Sequence, residues 1–201
     1  MTQAFIPTST RLPLRRPPYG PDVASVVDST AFTGLSPANL RRALANHPKL
    51  AVAVQAMGHV VLFGSEVSER HREIAIIRTG ALTRSEYEWG MHVSIYAKKC
   101  GLDEAQIHDL TCCSSWKEMS DPVWTPAERL IVRMVDELHH HSTVSDNTWS
   151  ELNAAWPKEQ VMELVFASSF YHMAAFFLNT AAVPLEEGAR RFPAAIKQAA
   201  A

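Results

Sequence analysis

HREIAIIRTGALTRSEYEWGMHVSIYAKKCG, residues 71 to 101, is the stretch on which the reading of the fold turns. Ile74, Ile77 and Ala81 recur at helical spacing. Thr83-Arg84-Ser85-Glu86 then has the form of a capping box, in which a threonine hydroxyl and a glutamate satisfy the free N–H groups of a new helix. From Glu86 the helical pattern runs to Cys100, and Gly101 supplies a left-handed stop. Three polar residues, Glu73, Glu88 and His92, stand where such a helix pair should turn apolar side chains inward.

Glu88 and His92 are four apart and project from one face, about one turn from each other. Trp89, Val93 and Tyr96 argue that the adjoining stripe is buried. A buried glutamate favours its protonated form, and a histidine titrates near neutrality. Together they are equipment for moving a proton on carbon or oxygen. Most such pairs are only structural, and on the residues alone that reading stands slightly ahead. Glu73 joins the pair only if the two helices form an antiparallel hairpin, for which a Gly80–Thr83 link is short enough. Alone, it is more often a partner of the helix dipole.

Working outward, Ser36-Pro37 reads as a capped helix start, and His47-Pro48 ends that helix. A second helix runs from about Lys49 to Phe63, with Leu50, Val54, Met57 and Val61 at helical spacing. Gly64-Ser65 breaks it, and Ser68 caps the helix that carries Glu73. On the other side, Asp103 to Gln106 opens a short helix, and Cys112 to Asp121-Pro122 is irregular. Thr125-Pro126-Ala127-Glu128 is the clearest helix start in the chain, with cap, proline and N3 glutamate in agreement. That helix reaches His139 to His141. A helix over Ser145–Trp156 follows, then a long apolar one from Pro157 to about Ala182. No strand-like alternation of useful length appears.

The expected fold is therefore all-α, seven to eight helices built around a helical hairpin. Residues 1–34 read as an extended arm without repeating structure, since Pro7, Pro13, Pro17, Pro18 and Pro21 fall there with Arg11, Arg15 and Arg16. Residues 35–190 form one helical domain, and 191–201 a tail.

A chain of 201 residues, 47% hydrophobic and 20% charged, suits a single globular domain. A net charge of −2 with no basic stripe makes nucleic acid an unlikely partner. The apolar run Val161–Pro184 is interrupted by Glu163, Tyr171, His172 and Asn179, so a buried helix explains it better than a membrane span. Three cysteines, Cys100, Cys112 and Cys113, form no even disulfide framework, and no secretory signal is visible, so a cytoplasmic protein is expected.

Other candidates weigh as follows. Tyr171 and His172 sit in the most apolar helix as hydrogen-bonded core groups or as a pocket wall. Three consecutive histidines at 139 to 141 point about 100° apart and cannot converge on one ion, so cations at a helix C-terminus are the better reading and no metal is expected. Cys112 and Cys113 read as ordinary thiols rather than a vicinal disulfide.

The central stretch resembles the carboxymuconolactone decarboxylase and alkylhydroperoxidase-D superfamily, all-helical proteins with their site on a helical hairpin. The peroxidase branch has a glutamate, a Cys-x-x-Cys twelve residues on, and a histidine four beyond the second cysteine. On this chain those positions hold Glu73, Ser85, Glu88 and His92, so the spacing is kept and both sulfurs are gone. A thiolate must attack the hydroperoxide and a second thiol resolve the sulfenic acid, and serine and glutamate do neither. Glu88-Trp89-Gly90-Met91-His92-Val93 matches instead the Glu-x-x-x-His-Val form of the decarboxylase branch. The likeness extends over about residues 35 to 186, including Thr148–Asn179.

The resemblance implies a cofactor-free, lyase-like enzyme acting on a small carboxylated or lactone-type compound. His92 would be the general acid or base, with Glu88 setting its charge or orientation. Glu73 would complete the cluster, and Ser85, Trp89, Tyr96, Tyr171 and His172 would line the pocket. It also implies a homo-oligomer, dimer, trimer or hexamer. Two alternatives are a non-catalytic ligand-binding relative and a residual peroxidase working through Cys100, Cys112 or Cys113.

Overall fold

The computed structural model describes residues 9–27, 34–120 and 122–194; Pro7, Asp121 and the last seven residues of the expected tail lie outside them. Nine α-helices and no strand occur among the described residues. They are α1 (Pro21–Val27), α2 (Ala38–Leu44), α3 (Pro48–Phe63), α4 (Glu69–Leu82), α5 (Glu86–His92), α6 (Glu104–Cys112), α7 (Pro126–His141), α8 (Asp146–Ala155) and α9 (Lys158–Ala181). The all-α expectation holds.

The helix ends follow the chemistry of their caps. Ser68 accepts from the His71 N–H to start α4. Asp103 with Gln106, and Thr125 with Glu128, close reciprocal capping boxes on α6 and α7. Two expected caps differ. At α2 the N-cap is Pro37, and the Ser36 hydroxyl instead accepts from Arg41 Nη2 at 2.8 Å. Thr83 belongs to the end of α4, its hydroxyl donating to the Thr79 carbonyl at 2.7 Å, so Thr83-Arg84-Ser85-Glu86 is not a capping box. The turn is Thr83–Ser85, with Arg84 at φ 52°, while Gly80 lies within α4.

α4 is the central element. Ten of its fourteen residues are buried, and α5, α6, α7 and α9 all pack on it. Gly80 lets α5 approach closely, since a Cβ there would lie 3.0 Å from the Trp89 nitrogen. That crossing, with Glu73 reaching His92, makes α4 and α5 the antiparallel hairpin. The continuous helix expected to Cys100 instead changes to a π-helical stretch at Val93–Ala97 before Gly101, at φ 69°, stops it. A π-turn inserts a residue into the i→i−4 ladder and re-aims side chains, often at functional sites. Here it carries Tyr96.

Two boundaries shift. The arm is not structureless: its residues 21–27 form α1, which buries Val23 and Val26 against α2 and α3. Its N–H groups at Arg11 and Arg15 donate to the Ala181 and Arg42 carbonyls, so the arm lies over its own domain. At the other end, Phe192 packs on Trp89 with ring centroids 4.8 Å apart, so the domain runs past residue 190. α9 is long and apolar enough to cross a membrane, yet half of its most apolar window is buried inside the fold, as a core helix requires.

Candidate active site

His92 ends the α-helical part of α5, and Glu73 sits one turn into α4 on the facing side. The hairpin brings them together: His92 Nδ1 lies 2.7 Å from Glu73 Oε2, and Glu73 has no exposed surface. That bond places the Nδ1 proton toward Glu73 and leaves Nε2 as the nitrogen available for chemistry. Nε2 is 3.8 Å from Glu88 Oε2, too long for a hydrogen bond but close enough for strong coupling. Behind Glu73, Arg72 Nε and Nη2 both lie 3.4 Å from Oε1. No sequence pattern singled out Arg72; only its place beside Glu73 hinted at a role.

The sequence assigned orientation of His92 to Glu88, with Glu73 completing the cluster. The geometry points the other way. Glu73 holds the imidazole, while Glu88 makes no hydrogen bond among the described residues and, with His92, lines a cavity of about 510 Å³. Tyr96 and Tyr171 line it too. Tyr96 stacks on His92 at 5.3 Å between centroids, and Tyr171 meets it edge-on at 4.7 Å. The far walls come from α2, α3 and α9 through Leu40, Leu44, Val54, Leu62, Phe170 and Phe177. α3 was legible as a helix, but nothing in its sequence said that it covers a site.

Three expected pocket residues lie elsewhere. Trp89 is fully buried, its Nε1 donating to Thr111 Oγ1 at 2.9 Å, because α5 turns that face toward α4 and α6. Ser85 is the N-cap of α5, closed in by the turn, and its buried hydroxyl has no partner among the described residues. His172 faces α7, where Nε2 meets His139 Nδ1 at 3.0 Å and Nδ1 meets the Ser168 carbonyl at 2.9 Å. Burial first, then the neighbouring His172 and His140, push His139 down to about 4. His139 is therefore neutral, and the reading of the triple histidine as cations fails there.

Burial raises the Glu88 carboxyl to about 7; His92 draws it down and Glu73 pushes it further up. Burial acts most strongly on His92 and lowers it, but the charge and hydrogen bond of Glu73, with the charge of Glu88, more than offset this. The net shift on His92 is upward. Glu88 and His92, coupled across 3.8 Å, are thus both shifted upward.

A pH prediction follows. Between 4.5 and about 7 folded Glu88 holds a proton that the unfolded chain has released, so its contribution to stability is full below 4.5 and lost as pH rises through 7. His92, raised above 6.5, runs the same way: its contribution is present below 6.5 and lost as pH rises through its folded value. Melting temperature is expected to fall across this window, and Glu88→Gln to flatten the fall. Melting curves of both proteins over that range check it, and parallel profiles would contradict it.

Comparison with known proteins gives the following. Residues 48–111 match the model of the carboxymuconolactone decarboxylase family, spanning α3 to α6 and including Glu73, Glu88 and His92. No curated protein matches the sequence. A peroxidase-related protein of uncharacterized function from a Silicibacter species is similar in structure, with TM-score 0.75, 15% identity, and 92% of this chain and 96% of that one covered. An alkylhydroperoxidase AhpD core protein from Ralstonia eutropha gives 0.73 at 14% identity, covering 89% and 93%. A protein of unknown function from Agrobacterium tumefaciens gives 0.61 at 19% identity, covering 71% and 94%. At these identities the structures speak for fold alone. The hairpin segment is thus similar to the carboxymuconolactone decarboxylase family and the fold is the one shared with the AhpD-like structures, which together support the superfamily that the sequence resembles.

Proposed function

We propose that the protein is a cytoplasmic, cofactor-free enzyme that moves a proton to or from carbon on a small carboxylated or lactone-type compound, as in decarboxylation. The observation that carries this reading is one arrangement: His92 is fixed through Nδ1 by Glu73, while its other nitrogen and Glu88 face a 510 Å³ cavity. That is the orienting carboxylate and imidazole of a general acid–base device, joined to a carboxyl whose pKa is near 7. In decarboxylation the bond from carbon to the leaving CO2 breaks and its electron pair stays with the substrate. The proton on Nε2 then closes the valence at carbon, and solvent restores it.

The peroxidase-related names of two structural neighbours bring hydroperoxide reduction to this chain as the rival reading. It needs a thiolate. Burial raises all three thiols, with nearby carboxylates adding to the shift, and Cys100 reaches about 11. The test is a panel of β-keto acids and lactone carboxylic acids, scored for CO2 release. Release from at least one class, following a pH profile with an apparent pKa near 7, supports proton chemistry. Silence across the panel together with dithiol-dependent hydroperoxide consumption would overturn it.

We also propose that the protein self-associates through the face that α3 and α9 share. Leu50, Met57, Val60 and Phe63 of α3, with Phe166 and Phe176 of α9, are large apolar side chains left exposed there. Large apolar side chains left exposed together mark interaction sites. Sedimentation is expected to show an assembly that Phe166→Glu with Phe176→Glu converts to monomer; a wild-type monomer at micromolar concentration would contradict it.

A further inference from the structure

Two buried tyrosines beside His92 are unaccounted for by proton transfer alone. Tyr96 and Tyr171 are 7% and 3% exposed, both line the cavity, and neither hydroxyl has a hydrogen-bond partner among the described residues. Tyr87, on the same cavity, shows how this fold treats a structural tyrosine. Its hydroxyl accepts from the Leu40 N–H at 3.1 Å and donates to Glu186 Oε1 at 2.7 Å. Neither the Tyr96 nor the Tyr171 hydroxyl is sealed away from the cavity, so both can donate to a molecule bound there.

We propose that the Tyr96 and Tyr171 hydroxyls form a paired donor for a carbonyl or enolate oxygen, so that the substrate is a carbonyl compound with a largely apolar body. This rests on the proton-transfer reading and sharpens it. When a proton leaves the carbon next to a carbonyl, or CO2 leaves the carbon β to one, the electron pair passes into the carbonyl and its oxygen becomes negative. Donors fixed in a dry site stabilise that oxygen most where the charge develops. Both phenol rings pack on the His92 imidazole, Tyr96 stacked and Tyr171 edge-on, so an oxygen held by their hydroxyls lies in the same cavity as His92 and Glu88. Both hydroxyls stay protonated and serve as donors: burial first, then the carboxylates nearby, push Tyr96 up to about 12 and raise Tyr171 well above its ordinary value. The apolar body follows from the walls, which are mostly apolar, among them Leu40, Leu44, Val54, Leu62, Phe170 and Phe177.

The experiment uses 4-nitrophenolate as a planar ring bearing an oxyanion, and 4-nitroanisole as the same ring with that oxygen methylated. Tyr96→Phe and Tyr171→Phe are each expected to weaken 4-nitrophenolate binding tenfold or more and the double variant about a hundredfold. Affinity for 4-nitroanisole should stay within twofold and melting temperature should not fall. Equal loss for both probes, no loss for either, no binding of either to the wild type, or a lowered melting temperature overturns the proposal. Tyrosine-dependent phenolate binding with no CO2 release from any panel compound leaves the donor pair standing and removes proton transfer. Decarboxylation at wild-type rate in both variants does the reverse.

Discussion

His92→Gln is expected to lower turnover about 10²–10⁴-fold, the range over which a positioned general acid or base contributes. His59 and Glu88 also line the cavity, but neither is held by a buried carboxylate as His92 is by Glu73. Glutamine keeps a donor for Glu73 Oε2, and Arg72 remains to balance that carboxylate, so the fold should persist. The double variant Glu73→Gln, His92→Gln removes the buried charge as well and separates loss of chemistry from loss of stability. Activity of both variants, alongside their circular dichroism, checks the expectation. Turnover within threefold of wild type would remove His92 from the mechanism.

The second large effect concerns folding. Arg78 is 1% exposed on α4, and its Nε donates to Asp136 Oδ1 at 2.7 Å. Its Nη1 donates to the Leu110 carbonyl at 3.1 Å and to the Cys113 carbonyl at 2.8 Å. The second oxygen of Asp136 accepts from the Trp116 N–H at 2.7 Å. One guanidinium therefore ties α4 to α6, to α7 and to the loop between them. Arg78→Met leaves Asp136 buried without its counter-charge and two carbonyls without donors, at an expected cost of about 3–5 kcal/mol. Arg78→Met with Asp136→Leu should recover part of that, because no uncompensated charge remains. Denaturant unfolding of both variants measures the difference.

Much of this was legible in the sequence because local chemistry decided it. Thr125 with Glu128, Asp103 with Gln106, Ser68 and Gly101 each mark a helix end by what their own side chains or backbones do, and the structure follows them. Glu73, Glu88 and His92 were legible because polar groups among Ile74, Ile77 and Trp89 require a reason. Where long-range packing decided, the residues were silent. Trp89 and Tyr96 look equivalent beside His92, yet α6 supplies Thr111 for the indole while the π-turn delivers Tyr96 to the cavity. His172 and Tyr171 are neighbours on α9, and the 100° between them sends one toward α7 and the other to His92. The roles of Glu73 and Glu88 rested on a distance across the hairpin that no spacing along the chain encodes.

The most direct measurement compares a Cys100→Ser, Cys112→Ser, Cys113→Ser variant with His92→Gln on whichever panel compound the wild type decarboxylates, with hydroperoxide consumption followed in parallel. Proton chemistry at His92 predicts that the cysteine-free protein releases CO2 at the wild-type rate while His92→Gln does not. Hydroperoxide consumption that the triple serine variant abolishes, with no CO2 released by any of the three proteins, would contradict it.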